Sequence, residues 1–283
     1  MIRPRALMAS ALVAILLSGC GVWRAIFPKF EYETEPPTLP ADLGSPAILV
    51  FTKTNGFRHE EAIPAGVALI EDIASRRGWS TFHTENGAVF TPELLDRFDV
   101  VVWHMTSGDV LNEEQRQAFR SWLEAGHGFV GTHAAGDGSH TWPWYRKTII
   151  GVDYGEHPLG PQFQEATAIV EDRDHPATAK LPESFNHMEE WYSFTESPRT
   201  KGFRVLARVD ESTYSPQIDF LWMDKDLRMG DDHPIVWTTC AGKGRVLYNA
   251  LGHQAAAYET QELKDLTEGS LVWALGLDGP ACP

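Results

Sequence analysis

The chain has 283 residues, of which 24 are basic and 39 acidic, giving a formal charge of −15 at pH 7. Such acidity argues against nucleic acid and against a polybasic membrane patch as partners. The length is that of one large α/β domain able to bury a substantial core.

Residues 1–19 read as an export signal. Arg3 and Arg5 open it, residues 6–17 are an apolar run, and Leu17-Ser18-Gly19-Cys20 closes it. A dozen or so apolar residues are too few to cross a bilayer comfortably as a helix. The tetrapeptide resembles the lipobox of bacterial lipoproteins, which implies cleavage before Cys20 and lipid attachment there. The alternative is an ordinary signal peptide with an incidental cysteine. Gly21 resembles the outer-membrane sorting pattern. The expected location is therefore the bacterial cell envelope, on the periplasmic face of the outer membrane if the host is Gram-negative. Residues 20–46 hold Pro28, Pro36, Pro37, Pro40 and Pro46 without a periodic apolar pattern, and read as a semi-extended tether. The folded domain is then 47–277, with a tail at 278–283.

Residues 47–51 (AILVF) predict a buried strand ending in the Thr54-Asn55-Gly56 loop. Residues 61–77 predict a helix with Val67, Ile70, Ile73 and Ala74 on one face. Strands follow at 80–84 and 99–104, the second apolar enough to be covered on both faces. Asn112, three residues before Gln115, predicts a capping box opening a helix that closes near Gly126. The next strand stops abruptly at Gly131-Thr132-His133-Ala134-Ala135-Gly136, an elbow of the kind that carries a nucleophile in α/β enzymes. Here it carries His133, whose imidazole is a poor substitute for a thiol in acyl transfer. This strand–helix alternation predicts a doubly wound, mainly parallel α/β sheet with right-handed crossovers. Residues 151–234 differ: alternation at 164–170 and 204–209 predicts antiparallel strands or long loops inserted over the sheet. A strand pair at 235–240 and 245–251 and a helix at 260–275 close the chain. Cys240 reads as a buried strand thiol and Cys282 lies near the end; export would allow them to pair, but spacing alone does not decide it.

Open α/β sheets bind ligands beyond the carboxyl ends of their strands. His59, His104, His133 and His253 all fall at such ends. With a flavodoxin-like strand order, the first, third and fourth strands are neighbours, so His59, His104 and His133 surround one crevice. His104 suits a hydrogen-bonded core position equally well. In Met188-Glu189-Glu190-Trp191-Tyr192, alternation points Glu190 and Tyr192 one way and Trp191 the other. A carboxylate flanked by aromatic rings suits carbohydrate recognition. Trp142, Trp144 and Tyr145 offer a second aromatic patch, although each alone suits the core. The catalytic candidates are His59, His133, Glu190 and His253. The substrate-binding candidates are Tyr192, Trp144, Tyr145 and His104, with a weaker expectation for His157. The four catalytic candidates also suit a divalent metal, zinc or manganese, though no His-x-His or His-x-x-x-His spacing announces one.

Five ordered motifs carry a resemblance. They are Thr52-Lys53-Thr54-Asn55-Gly56-Phe57-Arg58-His59, Gly128-Phe129-Val130-Gly131-Thr132-His133, Glu190-Trp191-Tyr192, Gly242-Lys243-Gly244-Arg245-Val246 and Leu251-Gly252-His253. Together they resemble the trehalose-utilisation (ThuA-like) family over roughly residues 47–276. The resemblance implies a class I glutamine-amidotransferase-like fold and a place in bacterial sugar utilisation, including disaccharides handled through keto-sugar intermediates. True glutamine amidotransferases carry cysteine where this chain has His133. Their catalytic histidine is followed two positions later by glutamate, whereas His253 is followed by Gln254 and Ala255. Glutaminase activity is therefore not expected. The expected function is a lipid-anchored enzyme processing a glycoside or keto-sugar. In it His133 and His253 serve as acid/base groups or metal ligands, Glu190 as a base or hydroxyl anchor, and His59 as an orienting group. The rivals are a sugar-binding lipoprotein without turnover and a structural domain with a vestigial crevice. Activity or binding is expected to fall as acid protonates the imidazoles between pH 7 and 6.

Overall fold

The computed structural model describes residues 27–282. The predicted signal, the Cys20 lipidation site and the start of the tether lie outside the described residues. The first half of the chain builds β1 (Ala47–Phe51), α1 (Ala62–Arg77), β2 (Ser80–Thr84), a short α2 (Pro92–Leu95), β3 (Val100–His104), α3 (Glu113–Glu124) and β4 (Gly128–Thr132). Every residue of β1 and β3 is buried, the condition of a strand covered on both faces. The capping box forms as expected: the Gln115 amide donates to Asn112 Oδ1 at 3.0 Å, and the Asn112 amide to Gln115 Oε1 at 2.9 Å.

The second half adds β5 (Tyr154–Glu156), β6 (Gln164–Val170), β7 (Ser184–Glu189), β8 (Ser193–Phe194), β9 (Arg204–Val209), β10 (Gln217–Phe220), β11 (Met223–Asp226), β12 (Pro234–Ala241), β13 (Gly244–Asn249) and α4 (Gln261–Ala274). Nine strands form one sheet in the order β2-β1-β3-β4-β13-β12-β9-β6-β7. It is parallel from β2 to β13 and antiparallel from there to β7. Most of the antiparallel strands therefore extend the sheet edge to edge instead of lying over it. The reason is visible in β6, where Ala166, Ala168 and Val170 are buried and the residues between them are not, as in a strand with one covered face. Among the described residues only the pairs β5–β8 and β10–β11 stand outside the main sheet.

Residues 27–46 of the expected tether are among those described. From Lys29 onward the extended chain is strapped onto the domain. The Lys29 amide donates to Asn55 O at 2.7 Å, and Lys53 Nζ donates to Glu31 O at 2.6 Å and pairs with Glu33 Oε2 at 2.5 Å. Glu33 Oε2 also accepts the Gly87 amide at 2.8 Å, while Leu39 and Leu43 rest against the core. An extended segment has no internal hydrogen bonds, so its polar backbone binds wherever partners are offered. Cys240 and Cys282 are joined in a disulfide with a Cα–Cα distance of 5.7 Å, tying β12 to the C-terminal tail. Among the described residues no helix is long and apolar enough to cross a membrane.

Candidate active site

His133 stands at the first position past β4, with φ at +44°, a left-handed backbone that is uncommon for a residue with a β-carbon. Two bonds hold it there. Tyr248 Oη donates to His133 O at 2.8 Å, and His133 Nδ1 lies 2.7 Å from Ala250 O. A carbonyl only accepts, so Nδ1 carries the hydrogen, and the neutral ring keeps a lone pair on Nε2.

His253 follows β13 through Gly252, whose φ is +113° and whose missing β-carbon would sit 2.4 Å from Tyr258 Oη. The buried Glu189 carboxylate accepts the Gly252 amide at 2.5 Å and the His253 amide at 3.2 Å. Glu190, the next residue, turns the other way, as neighbours at the end of a strand do. Its Oε2 lies 2.9 Å from His253 Nδ1 and 3.4 Å from His133 Nε2, and those two nitrogens are 3.0 Å apart. Its Oε1 accepts from Gln162 Nε2 and lies 3.3 Å from His157 Nδ1. His59, in the loop between β1 and α1, sets its ring edge-on to His253 and His133 at 4.5 and 5.1 Å. Its Nδ1 is buried and has no hydrogen-bond partner among the described residues.

The charges settle around Glu190. Burial alone would raise its pKa, but His133 and His253 hold the carboxyl well below the usual range, so it is ionised. Burial would lower the pKa of His133, yet Glu190 and Glu189 outweigh it and raise it. Burial, reinforced by the other two histidines, drives His59 well below the ordinary imidazole value. The site thus favours positive charge at one point and keeps His59 neutral.

That point suits a cation. Ligand atoms of His59, His133, Glu190 and His253 all lie within 4.8 Å of one another. Donors around a tetrahedral ion with ~2.1 Å bonds stand about 3.4 Å apart, so the triangle of 2.9, 3.0 and 3.4 Å has the right size. While both histidines are neutral, its three atoms share at most one hydrogen, which leaves lone pairs converging. His133 Nδ1 anchored on a carbonyl is the arrangement that fixes metal-binding imidazoles in place. The unpartnered Nδ1 of His59 agrees with the same reading.

His59, Glu190 and His253 line a cleft of about 270 Å³, with the fully buried His133 behind them; the volume is near the lower end of the ~300–1,000 Å³ typical of small-molecule sites. Tyr192 and Tyr154 wall it, with Tyr192 centred 4.2 Å from the His133 ring. Glu190 and Tyr192 face the cleft together while Trp191 is buried, its Nε1 donating to Gln164 O at 2.8 Å.

The other expected residues lie elsewhere. His104 is buried beneath α1, bonded to Thr132 Oγ1 at 2.9 Å and to Ala62 O at 3.1 Å. A β-carbon on Gly66 would come within 2.3 Å of its ring, so the helix packs directly on it. Burial brings its pKa down to about 4. Tyr145 is in the core, stacked on Trp103 at 4.9 Å with its hydroxyl donating to Ala135 O. Trp144 donates to Glu124 Oε1 at 3.0 Å, beside α3. These two rings pack the fold and do not line the cleft. His157, the weaker expectation, does line it. Sequence reasoning missed Glu189, Gln162, Tyr154 and the pair Asp137–His140, which stands 3.2 Å apart at the cleft. The doublet Glu189-Glu190 was the readable signal, since adjacent acids at a strand end must face opposite ways.

The sequence model of the family described as "ThuA: Trehalose utilisation" matches residues 47–274. A ThuA-like protein of Bacteroides uniformis has a similar structure, with TM-score 0.69 at 24% identity over 85% of this chain and 95% of that one. A ThuA-like protein of Parabacteroides merdae gives 0.60 at 19% identity, over 81% and 90%. PurLQS from Thermotoga maritima gives 0.52 at 12% identity, over 81% and 98%, a likeness of fold. No curated protein matches the chain by sequence.

Proposed function

The chain belongs to the trehalose-utilisation (ThuA) family, and from that premise we propose that it is an enzyme processing a glycoside or keto-sugar at a divalent metal ion. The observation that carries the proposal is the convergence of His59, His133, Glu190 and His253 ligand atoms within 4.8 Å, three of these residues lining a cleft. When bound, the ion would supply Lewis-acid polarisation of a sugar hydroxyl or carbonyl oxygen. Gln162 and His157 hold Glu190 by Oε1, which leaves Oε2 aimed at the centre. Tyr192 and Tyr154, packed together at 4.6 Å, line the cleft and give it an aromatic wall for the apolar side of a sugar. Burial raises the pKa of Tyr192 far above neutrality, so its hydroxyl keeps its hydrogen and can donate. His140 is the proton carrier on the rim, because its bond to Asp137 raises its pKa and keeps it protonated at higher pH. The cleft volume has room for about one sugar ring rather than a long chain.

The test is a substrate screen on the metal-reconstituted protein with oxidised and unoxidised disaccharides. Turnover that disappears in Glu190→Gln and His133→Ala supports the proposal. Saturable sugar binding without product, unchanged by metal, favours the non-catalytic binder instead. We further propose lipid anchoring through Cys20, on the strength of the Leu17-Ser18-Gly19-Cys20 motif. Mass spectrometry should find an acylated Cys20 at the mature N-terminus, and an unmodified N-terminus elsewhere would end that reading.

A further inference from the structure

The hairpin β10–β11 carries Phe220, Leu221, Trp222 and Met223 at its tip, exposed by 39, 70, 86 and 37%. Of its eight strand residues only Ile218 is buried, so the hairpin projects from the domain. Its turn is unusual as well. Leu221 has φ at +58°, a conformation that Gly or Asn adopts with least strain, yet a bulky apolar residue stands there facing solvent. Nothing in the fold requires four apolar side chains at this tip.

Its position is informative. The hairpin is rooted on Leu159, whose amide donates to Gln217 O and whose carbonyl accepts the Asp219 amide at 2.8 Å. Leu159 lies between His157 and Gln162, both of which line the cleft. Pro28 lines the same cleft, and its neighbours Phe27 and Phe30 are 55 and 62% exposed. Phe27 is seven positions after Cys20, a span of at most about 25 Å. A lipid at Cys20 would therefore hold the cleft rim close to the bilayer.

We propose that the β10–β11 tip inserts into the lipid surface beside the anchor, so that the cleft rim lies against the membrane. This rests on the reading of Cys20 as lipidated. Trp and Phe suit the membrane–water interface, and Leu and Met its acyl edge. Asp219, Asp224 and Asp226 flank the tip, so attraction to anionic headgroups is not the driving force. Insertion should need no anionic lipid and should respond little to salt.

A fluorophore sensitive to polarity, attached at Trp222→Cys in the lipidated chain, tests this in phosphatidylcholine vesicles with nitroxide-labelled lipids. The control is Asp96→Cys, which precedes β3 and so stands at the opposite ends of the strands from the site. The expected result is quenching at least about two-fold stronger at 222 than at 96, unchanged between 0.05 and 0.5 M salt. A Cys20→Ser chain carrying the same labels should show a smaller rise in emission at 222 when vesicles are added. Equal quenching at both positions, in protein that mass spectrometry shows to be acylated, overturns the insertion and leaves the anchor standing. If mass spectrometry finds the chain that keeps Cys20 unacylated while its label at 222 still responds to vesicles, the anchor is overturned and the insertion stands. Self-association that buries the 222 label without lipid also overturns it, and assigns the tip to a second copy.

Discussion

From β2 to β13 the sheet is parallel, and the histidines it contributes stand just past strand ends: His59 after β1, His133 after β4, His253 after β13. From β12 to β7 it is antiparallel, and it contributes carboxylates from the end of β7, with Gln162 and His157 from the segment joining β5 to β6. The parallel half supplies imidazole nitrogens on elbows that local sequence dictates. The antiparallel half supplies the negative charge, and its place depends on the pairing of β6 with β7 and β9. The cluster forms where the halves meet, and Glu189 joins them, since a residue of β7 receives the backbone amides of the loop that follows β13.

The largest effect should come from cutting that meeting point chemically. Glu190→Gln keeps the shape and removes the charge, and turnover should fall by roughly 10²- to 10⁴-fold with little change in unfolding midpoint. An unimpaired Glu190→Gln enzyme would mean that the antiparallel half only shapes the cleft. Cutting the meeting point structurally comes next. Glu189→Ala leaves buried backbone amides unpaired, so chemical denaturation should show a loss of about 2–4 kcal/mol. Activity should fall in the same variant because the His253 loop loosens. Stability without loss of activity would show that Gly252 alone fixes the loop.

The parallel half can be titrated by itself through His104. Its folded pKa of about 4 lies below the ordinary 6.5. Above pH 6.5 it is neutral in both states and contributes no pH dependence. Between 6.5 and 4 the unfolded chain takes up the proton and the folded chain does not, so stability falls as pH falls. The loss approaches ~3 kcal/mol and ends below pH 4. Denaturation series at pH 7, 5.5 and 4 should show it, and His104→Gln should flatten that slope. An unchanged slope would place the titrating group elsewhere, with His59, also held well below the ordinary value, and His175, lowered to about 4, as the next choices. The smallest effect belongs to the strap. Glu33→Ala leaves Lys53 without its carboxylate and should cost about 1 kcal/mol, most of it recovered by a further Lys53→Met.

The same contrast explains what was legible in the sequence. Apolar runs at 47–51 and 100–103, the Asn112–Gln115 cap and the small-residue elbow at His133 are local signals, and the parallel half followed from them. The strand at 184–189 and the outward β10–β11 hairpin carry no comparable local pattern. Where 164–170 and 204–209 would pair, in the main sheet or above it, depended on a free edge of β12 that no local pattern records. Trp144 and Tyr145 misled because an aromatic pair after an elbow serves a cleft or a core alike. Here Trp103 and Phe119 had already claimed that side for the core. His104 shared the strand-end position of the clustered histidines, but the close approach of α1 at Gly66 covered it.

The most direct test of the account is the metal stoichiometry of the cluster itself. Elemental analysis and calorimetric titration with zinc and manganese should find about one ion per wild-type chain. Affinity should fall by at least roughly 100-fold in both His133→Ala and Glu190→Gln, one donor from each half of the sheet. Wild-type protein that binds neither ion, or binding that both variants leave intact, would contradict the claim that the two halves jointly build a metal site.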